Sequence, residues 1–256
     1  MFFFEMKILV GFLVGALIGM TGLGGGVMLL PILIYGLHVP AMLAVGCDAL
    51  FNFVTKIGTS WVHLTKGTVR RKVVIALACG SIPGAYGGVQ FLKHLRTIYG
   101  AGVNMFIAHA IGILLICIPM LLLLQGRFEK ELEVRQPTAK SFLGMTVIGL
   151  LAGFLVGMTS VGSGSIVMML LLLFYSYPAR VMVGTDIVHA VILTGFTSLL
   201  HLQLHNIDFT LVGGLLIGSI PGGLVGAYLA TRVPVLWLRR ILCAVLLITG
   251  LRMLWA

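Results

Sequence analysis

Charge is what this sequence has least of. Seventeen Lys and Arg and only seven Asp and Glu make up 9% of 256 residues, against 59% hydrophobic ones and a mean hydropathy of +1.14. A soluble domain of this size needs charge over roughly 25–35% of its surface, so the chain cannot build a water-compatible skin. It reads as an integral membrane protein. The formal charge of +10 is then loop charge that sets topology, and no basic surface interleaved with aromatics is left for nucleic acid. Cysteine is scarce as well. Cys47, Cys79, Cys117 and Cys243 lie in apolar stretches without CxxC spacing, which points away from a disulfide framework or a zinc site and leaves them as small core residues. The start of the chain does not read as a cleavable signal either, because Glu5 and Lys7 lead into a glycine-rich break without a small-residue cleavage site.

Apolar runs are plentiful. A membrane span takes about 20 apolar residues, and six segments meet that length: 41–64, 73–92, 101–124, 179–204, 209–230 and 235–255. Two more, 7–36 and 141–175, are too long for one span, too short for two, and interrupted by glycine. The polar residues 125–140 read as a charged cytoplasmic linker between a first transmembrane repeat, 1–124, and a second, 141–256.

The halves are copies. Sliding the chain by 138 positions superposes 11–88 on 149–226 without a gap, with about a third of positions identical. Gly19-Met20-Thr21 falls on Gly157-Met158-Thr159, Asp48 on Asp186, His63 on His201, and Gly80-Ser81-Ile82-Pro83-Gly84 on Gly218-Ser219-Ile220-Pro221-Gly222. Duplicated halves with broken hydrophobic segments at matching positions are the architecture of secondary transporters. Loop charge bears on their relative orientation. If the broken segments are re-entrant hairpins the halves are inverted, and twelve Lys and Arg fall on the linker side against four opposite; full spans give parallel halves, with ten and six. The expected fold is therefore an all-α polytopic membrane protein of two inverted repeats, each a glycine-broken re-entrant hairpin plus three transmembrane helices.

The chemistry concentrates at the breaks and on the helix after each. The first break carries Thr21, Gly24, Gly25 and Gly26; its counterpart carries Thr159, Gly162, Ser163, Gly164 and Ser165. A half-helix that begins at membrane depth has unpaired backbone N–H groups and a positive dipole end, which an anion satisfies. Close helix packing would also use such glycines, but it does not need the hydroxyls. Asp48, Asn52, Lys56, Thr59 and His63 recur at steps of four, four, three and four, so they share one helical face, and Asp186, His189, Thr194, Thr197 and His201 form a looser stripe in the second half. A lysine at this depth does not face lipid. It is either an ion-pair partner, bridged to Asp48 through Asn52, or a positive charge offered to an anion together with His189. Asp48 and Asp186 would orient these groups or exchange protons. His63 and His201, near helix ends, read as interfacial polar residues.

These residues resemble the sulfite exporter TauE/SafE family of permeases. The likeness rests on the glycine-rich break, Val183-Gly184-Thr185-Asp186, the helix ending in His201, the turn His205-Asn206-Ile207-Asp208 and the 218–222 motif, and covers nearly the whole chain. Cys47 stands where Thr185 supplies a hydroxyl in the second half. The resemblance implies a multi-pass permease of the inner membrane that moves sulfite, a sulfonate, thiosulfate or a related organic anion. The substrate site would lie between the repeats near the midplane, with proton coupling and neither cofactor nor metal. An intramembrane hydrolase using Ser, His and Asp, and a metal-ion transporter using the seven His and thirteen Met, are the competing readings.

Overall fold

The computed structural model describes residues 2–21, 26–125, 139–174, 179–230 and 235–255, and the linker residues 126–138 lie outside them. Among the described residues the chain is helical throughout. The first half comprises α1 (Phe2–Thr21), α2 (Gly26–Pro31), α3 (Ala41–Thr65), α4 (Arg71–Tyr99) and α5 (Val103–Gln125); the second comprises α6 (Ala139–Thr159), α7 (Ser165–Phe174), α8 (Ala179–Gln203), α9 (Phe209–Ala230) and α10 (Val235–Trp255). Both long glycine-interrupted segments divide into two helices where the sequence breaks. Among the described residues, five helical stretches are long and apolar enough to cross a membrane: Ala41–Thr65, Arg71–Met120 (α4 running into α5), Phe142–Thr159, Val181–Gln203 and Phe209–Gly226.

Burial is inverted relative to a water-soluble protein. Leu143, Leu224 and Ile248 are about two-thirds exposed, whereas Asp48, Asn52, His189 and His201 are fully buried. Apolar side chains on the outside and polar ones within suit a hydrocarbon solvent, where the exterior gains nothing from polarity.

Two seams join the halves. In one, α1 packs along α9 with Gly11 against Leu215 and Gly15 against Ser219; in the other, α6 packs along α4 with Gly149 against Leu77 and Gly153 against Ser81. These contacts advance together along both chains, so each pair runs parallel. Backbone meets backbone here. A methyl group on Gly80 would collide with the Thr146 carbonyl oxygen, and one on Gly218, its counterpart, with the Ile8 carbonyl oxygen. The Gly-Ser-Ile-Pro-Gly motifs are thus close-packing surfaces of the kind small residues make between membrane helices.

The central pair, α3 and α8, runs the other way. Gly46 meets Asn206, Phe53 meets Gly195, and His63 and Thr68 meet Gly184, so the two helices are antiparallel. Both end in the same turn. The N–H of Thr68 reaches the His63 carbonyl at 3.2 Å and that of Asn206 reaches the His201 carbonyl at 3.0 Å, with Gly67 (φ 64°) and His205 (φ 54°) in the left-handed region. Glycine takes that conformation without cost; His205 does so as a side-chain-bearing residue.

Candidate functional site

The second break is built residue by residue. The Thr159 hydroxyl donates to the Leu155 carbonyl at 2.7 Å and accepts the N–H of Val161 at 3.3 Å, closing α6 by a local cap. Ser160 then turns the chain at φ 57° and Gly162 at φ 99°, and α7 begins at Ser165. His201 ties off a carbonyl that the helix end leaves free, with Nε2 3.1 Å from the Gly157 oxygen. The interfacial role expected for His201 is therefore corrected: it is fully buried and holds the end of α6.

Two hydroxyls of the break meet charges on α3. Ser160 Oγ donates to Asp48 Oδ2 at 2.7 Å, and Lys56 Nζ donates to Ser163 Oγ at 3.0 Å. Asp48 and Lys56 lie on one face two turns apart, so the break lies against the central turns of α3. Asn52, between them, donates to the backbone carbonyl of Asp48 at 2.9 Å. Asp186 is buried on α8, two residues beyond Gly184, which packs against the His63 ring of α3. His189 Nε2 lies 2.9 Å from the hydroxyl of Ser81 on α4.

The cluster holds more polar atoms than it satisfies. Asp48 Oδ1, Asp186 Oδ1 and His189 Nδ1 are buried without a hydrogen-bond partner among the described residues. Buried polar groups are paired in nearly all native structures, so these three unpaired atoms on α3 and α8 call for a ligand, water or proton. Exposure grades along the α3 stripe, from Asp48 and Asn52 (buried) through Lys56 (partly buried) to Thr59 (exposed). The cluster therefore opens toward the Lys66 end of α3.

Of the expected site residues, Asp48, Asn52 and Lys56 share the face of α3 that meets the break at Ser160 and Ser163, Thr159 closes α6, and Asp186 and His189 are buried on α8. Gly162 supplies the turn, and the Gly164 carbonyl accepts the N–H of Met168 at 3.4 Å. Thr21 ends α1, Gly26 begins α2 and Ser165 begins α7, while Gly24 and Gly25 lie outside the described residues. Ser160 and Ser81 were not among the expected residues. Ser160 is flagged only by following Thr159 in the break, and Ser81 is hidden in a packing motif. Cys47 and Thr185 turn out to be matching clamps: Thr185 Oγ1 accepts the N–H of Arg70 at 3.0 Å, and Cys47 Sγ accepts that of Asp208 at 3.3 Å. The substitution of thiol for hydroxyl thus falls on a structural contact.

A separate cavity of about 510 Å³ opens where α4 and α5 meet, lined by Arg96, Asn104, Asn206, Pro40 and Met42 among others. The Arg96 guanidinium lies 3.5 Å from Asn206 Oδ1. Among the described residues, no group of three or more His, Cys, Asp or Glu stands where it could hold a metal ion.

A model of the family described as sulfite exporter TauE/SafE matches residues 7–253. The chain is 34% identical over 251 residues to the probable membrane transporter protein YjnA of Bacillus subtilis, covering 96% of this chain and 98% of that one. It is 24% identical over 254 residues to YdhB of the same organism, covering 97% and 99%, and 26% identical over 229 residues to a probable membrane transporter protein of Xylella fastidiosa, covering 87% and 83%. No solved structure matches the chain.

Proposed function

The chain belongs to the sulfite exporter TauE/SafE family of membrane transporters, and on that premise we propose that it is a permease for a small oxyanion. The cargo is sulfite, a sulfonate, thiosulfate or a related organic anion, carried across the inner membrane. Its site is the polar cluster between the halves. One observation carries this reading: Lys56, a cation at membrane depth, ends on a serine hydroxyl of a helix break while buried carboxylate and imidazole atoms beside it are unpaired. Charge inside a membrane protein marks an ion or substrate path. An oxyanion at Lys56 would gain an ammonium, the Ser163 hydroxyl and the start of α7, whose free N–H groups favour negative charge.

We read residues 1–124 and 141–256 as inverted repeats whose glycine-broken segments are re-entrant hairpins. The antiparallel α3 and α8 support this, since a two-fold axis that exchanges them lies across the helices and hence in the membrane plane. Parallel α1–α9 and α4–α6 seams fit the same axis, each pairing the first helix of one half with the fourth of the other. The linker then lies on the cytoplasmic side, with the Lys66 end of α3. Proton coupling belongs to this reading, with Asp48 and Asp186 as the exchanging groups. A hydrolase is not favoured, because the relatives are named as transporters.

The test is an uptake screen in proteoliposomes with sulfite, thiosulfate, methanesulfonate and acetate. We expect saturable uptake of one of the sulfur oxyanions by the wild type and less than a tenth of it in Lys56→Met. Uptake of none of the four, or equal rates in Lys56→Met, would refute the assignment.

A further inference from the structure

We propose that the cavity at the start of α3 is a second anion-binding site, which takes a singly charged oxyanion group carrying an apolar chain. The site goes beyond the permease reading, because binding there is expected whether or not the anion is then carried. It lies at the end of α3 opposite Lys66, toward which the Lys56 cluster opens.

Its volume of about 510 Å³ is that of a small-ligand site. Arg96, in the last turn of α4, is exposed, and its Nη1 lies 3.5 Å from Asn206 Oδ1. A guanidinium only donates, so this contact fixes which atom of the Asn206 amide is the oxygen, and it engages one of five donors. The amide nitrogen is left over. Asn206 is 6% exposed, and its Nδ2 is buried with no acceptor among the described residues. Oδ1 and Nδ2 share one carbon, so Nδ2 lies within about 6 Å of the guanidinium nitrogen, a gap that one oxyanion spans by accepting from both at about 2.9 Å. The turn itself does not need this donor. Thr68 stands at the matching position of the first half, and its hydroxyl is satisfied locally by the His63 carbonyl at 3.1 Å and the His63 ring at 2.8 Å.

The surroundings favour one negative charge. α3 begins at Ala41 and α5 at Val103, so the positive ends of two helix dipoles lie beside the cavity. Asn104 joins them, accepting the Met42 N–H at 3.0 Å and donating to the Ala101 carbonyl at 3.2 Å. Among the described residues no acidic side chain lines the cavity. Asp208, two residues from Asn206, is committed to α9, where its Oδ1 accepts the N–H groups of Thr210 at 2.8 Å and Leu211 at 3.0 Å. A single guanidinium therefore matches a monoanion. Met42, Leu43 and Val103 supply an apolar wall, which rewards a short alkyl chain and gives nothing to an inorganic dianion. Alkyl sulfonates, alkyl carboxylates and the phosphodiester head of an anionic lipid share this chemistry.

The test is calorimetric titration of the full chain, in lipid-free maltoside micelles, with propanesulfonate. Binding should persist in Lys56→Met and weaken about tenfold or more in Arg96→Gln, which loses a charge-assisted hydrogen bond. Arg96→Lys should lose less. Asn206→Asp, an isosteric change, should abolish binding because its carboxylate takes Arg96. The exposed position of Arg96 predicts an unchanged melting temperature for Arg96→Gln, which separates lost binding from lost fold. A parallel titration with short-chain phosphatidylglycerol distinguishes the sources: propanesulfonate binding assigns the site to a free solute, and Arg96-dependent binding of the lipid alone assigns it to a headgroup. Binding of neither, or binding indifferent to both Arg96→Gln and Asn206→Asp, would overturn the proposal. Sulfate binding as tightly as propanesulfonate would overturn the ligand class. Propanesulfonate bound by the wild type but not by Lys56→Met would place the anion in the Lys56 cluster alone, overturning this site and leaving the permease reading standing. Failure of the uptake screen would leave this result untouched, since binding is read without transport.

Discussion

Replacing Lys56 by Met keeps the length of the side chain and removes its charge, and the structure specifies which second change compensates it. Removing one member of a buried charge set costs about 3–5 kcal/mol, because the opposite charge is left uncompensated. Lys56 is only partly buried, so water screens part of this and the expected loss falls to about 2–3 kcal/mol. The lost hydrogen bond to Ser163 falls within the same figure, since the Ser163 hydroxyl can turn to another acceptor. Asp48 retains the Ser160 hydroxyl as a donor at Oδ2, whereas Asp186 Oδ1 meets no donor among the described residues. Lys56→Met with Asp186→Asn should therefore recover to within about 1 kcal/mol of the wild type, because no unpaired charge remains. Lys56→Met with Asp48→Asn should stay about 2 kcal/mol below it, because Asp186 is left alone. The assay is reversible unfolding in mixed micelles by increasing SDS fraction, for the wild type, three single and two double variants, read as a double-mutant cycle. Asparagine at 48 rescuing as well as asparagine at 186 would refute the pairing. Recovery of sulfur-oxyanion uptake alongside stability in the Lys56→Met, Asp186→Asn protein would refute the role of Lys56 as counter-charge to the anion.

Other contacts give sharper structural tests. Gly80→Ala and Gly218→Ala place a methyl group against a facing carbonyl and should each lower stability by about 1–3 kcal/mol, while Gly213→Ala, with open space around it, should be neutral or stabilising in the same unfolding assay. Thr185→Val removes the acceptor for the Arg70 N–H and should cost about 1 kcal/mol; Cys47→Thr, which substitutes a hydroxyl for the thiol at the matching clamp, should leave the melting temperature within about 2 °C of the wild type. His205→Gly relieves a left-handed turn and should stabilise by up to about 1 kcal/mol, whereas His201→Leu, which strands the Gly157 carbonyl, should destabilise by about 1–3 kcal/mol and His201→Gln by less.

Much of this molecule is legible in one dimension. Hydropathy and the lack of charge give the membrane class, a 138-residue offset gives the duplication, and glycine runs mark where α1 and α6 end, because each is set by local backbone energetics and solvent rather than by distant contacts. The α3 stripe from Asp48 to His63 is equally local, a matter of helical period. Its pairing is not. Asp48 and Lys56 stand eight residues apart, about 12 Å along the axis at helical rise, and each meets a serine of the second break instead. Folding brings α8 antiparallel across α3 and buries Asp186 and His189 in the interior of the bundle. Ser160 and Ser81 acquire their roles in the same way, one from the turn of the second break and the other from a packing seam, and neither position differs in residue type from many inert serines. Sequence fixes what each helix can offer on each face; which faces meet depends on how the halves interlock, since the carbonyls that approach Gly80 and Gly218 come from the opposite repeat.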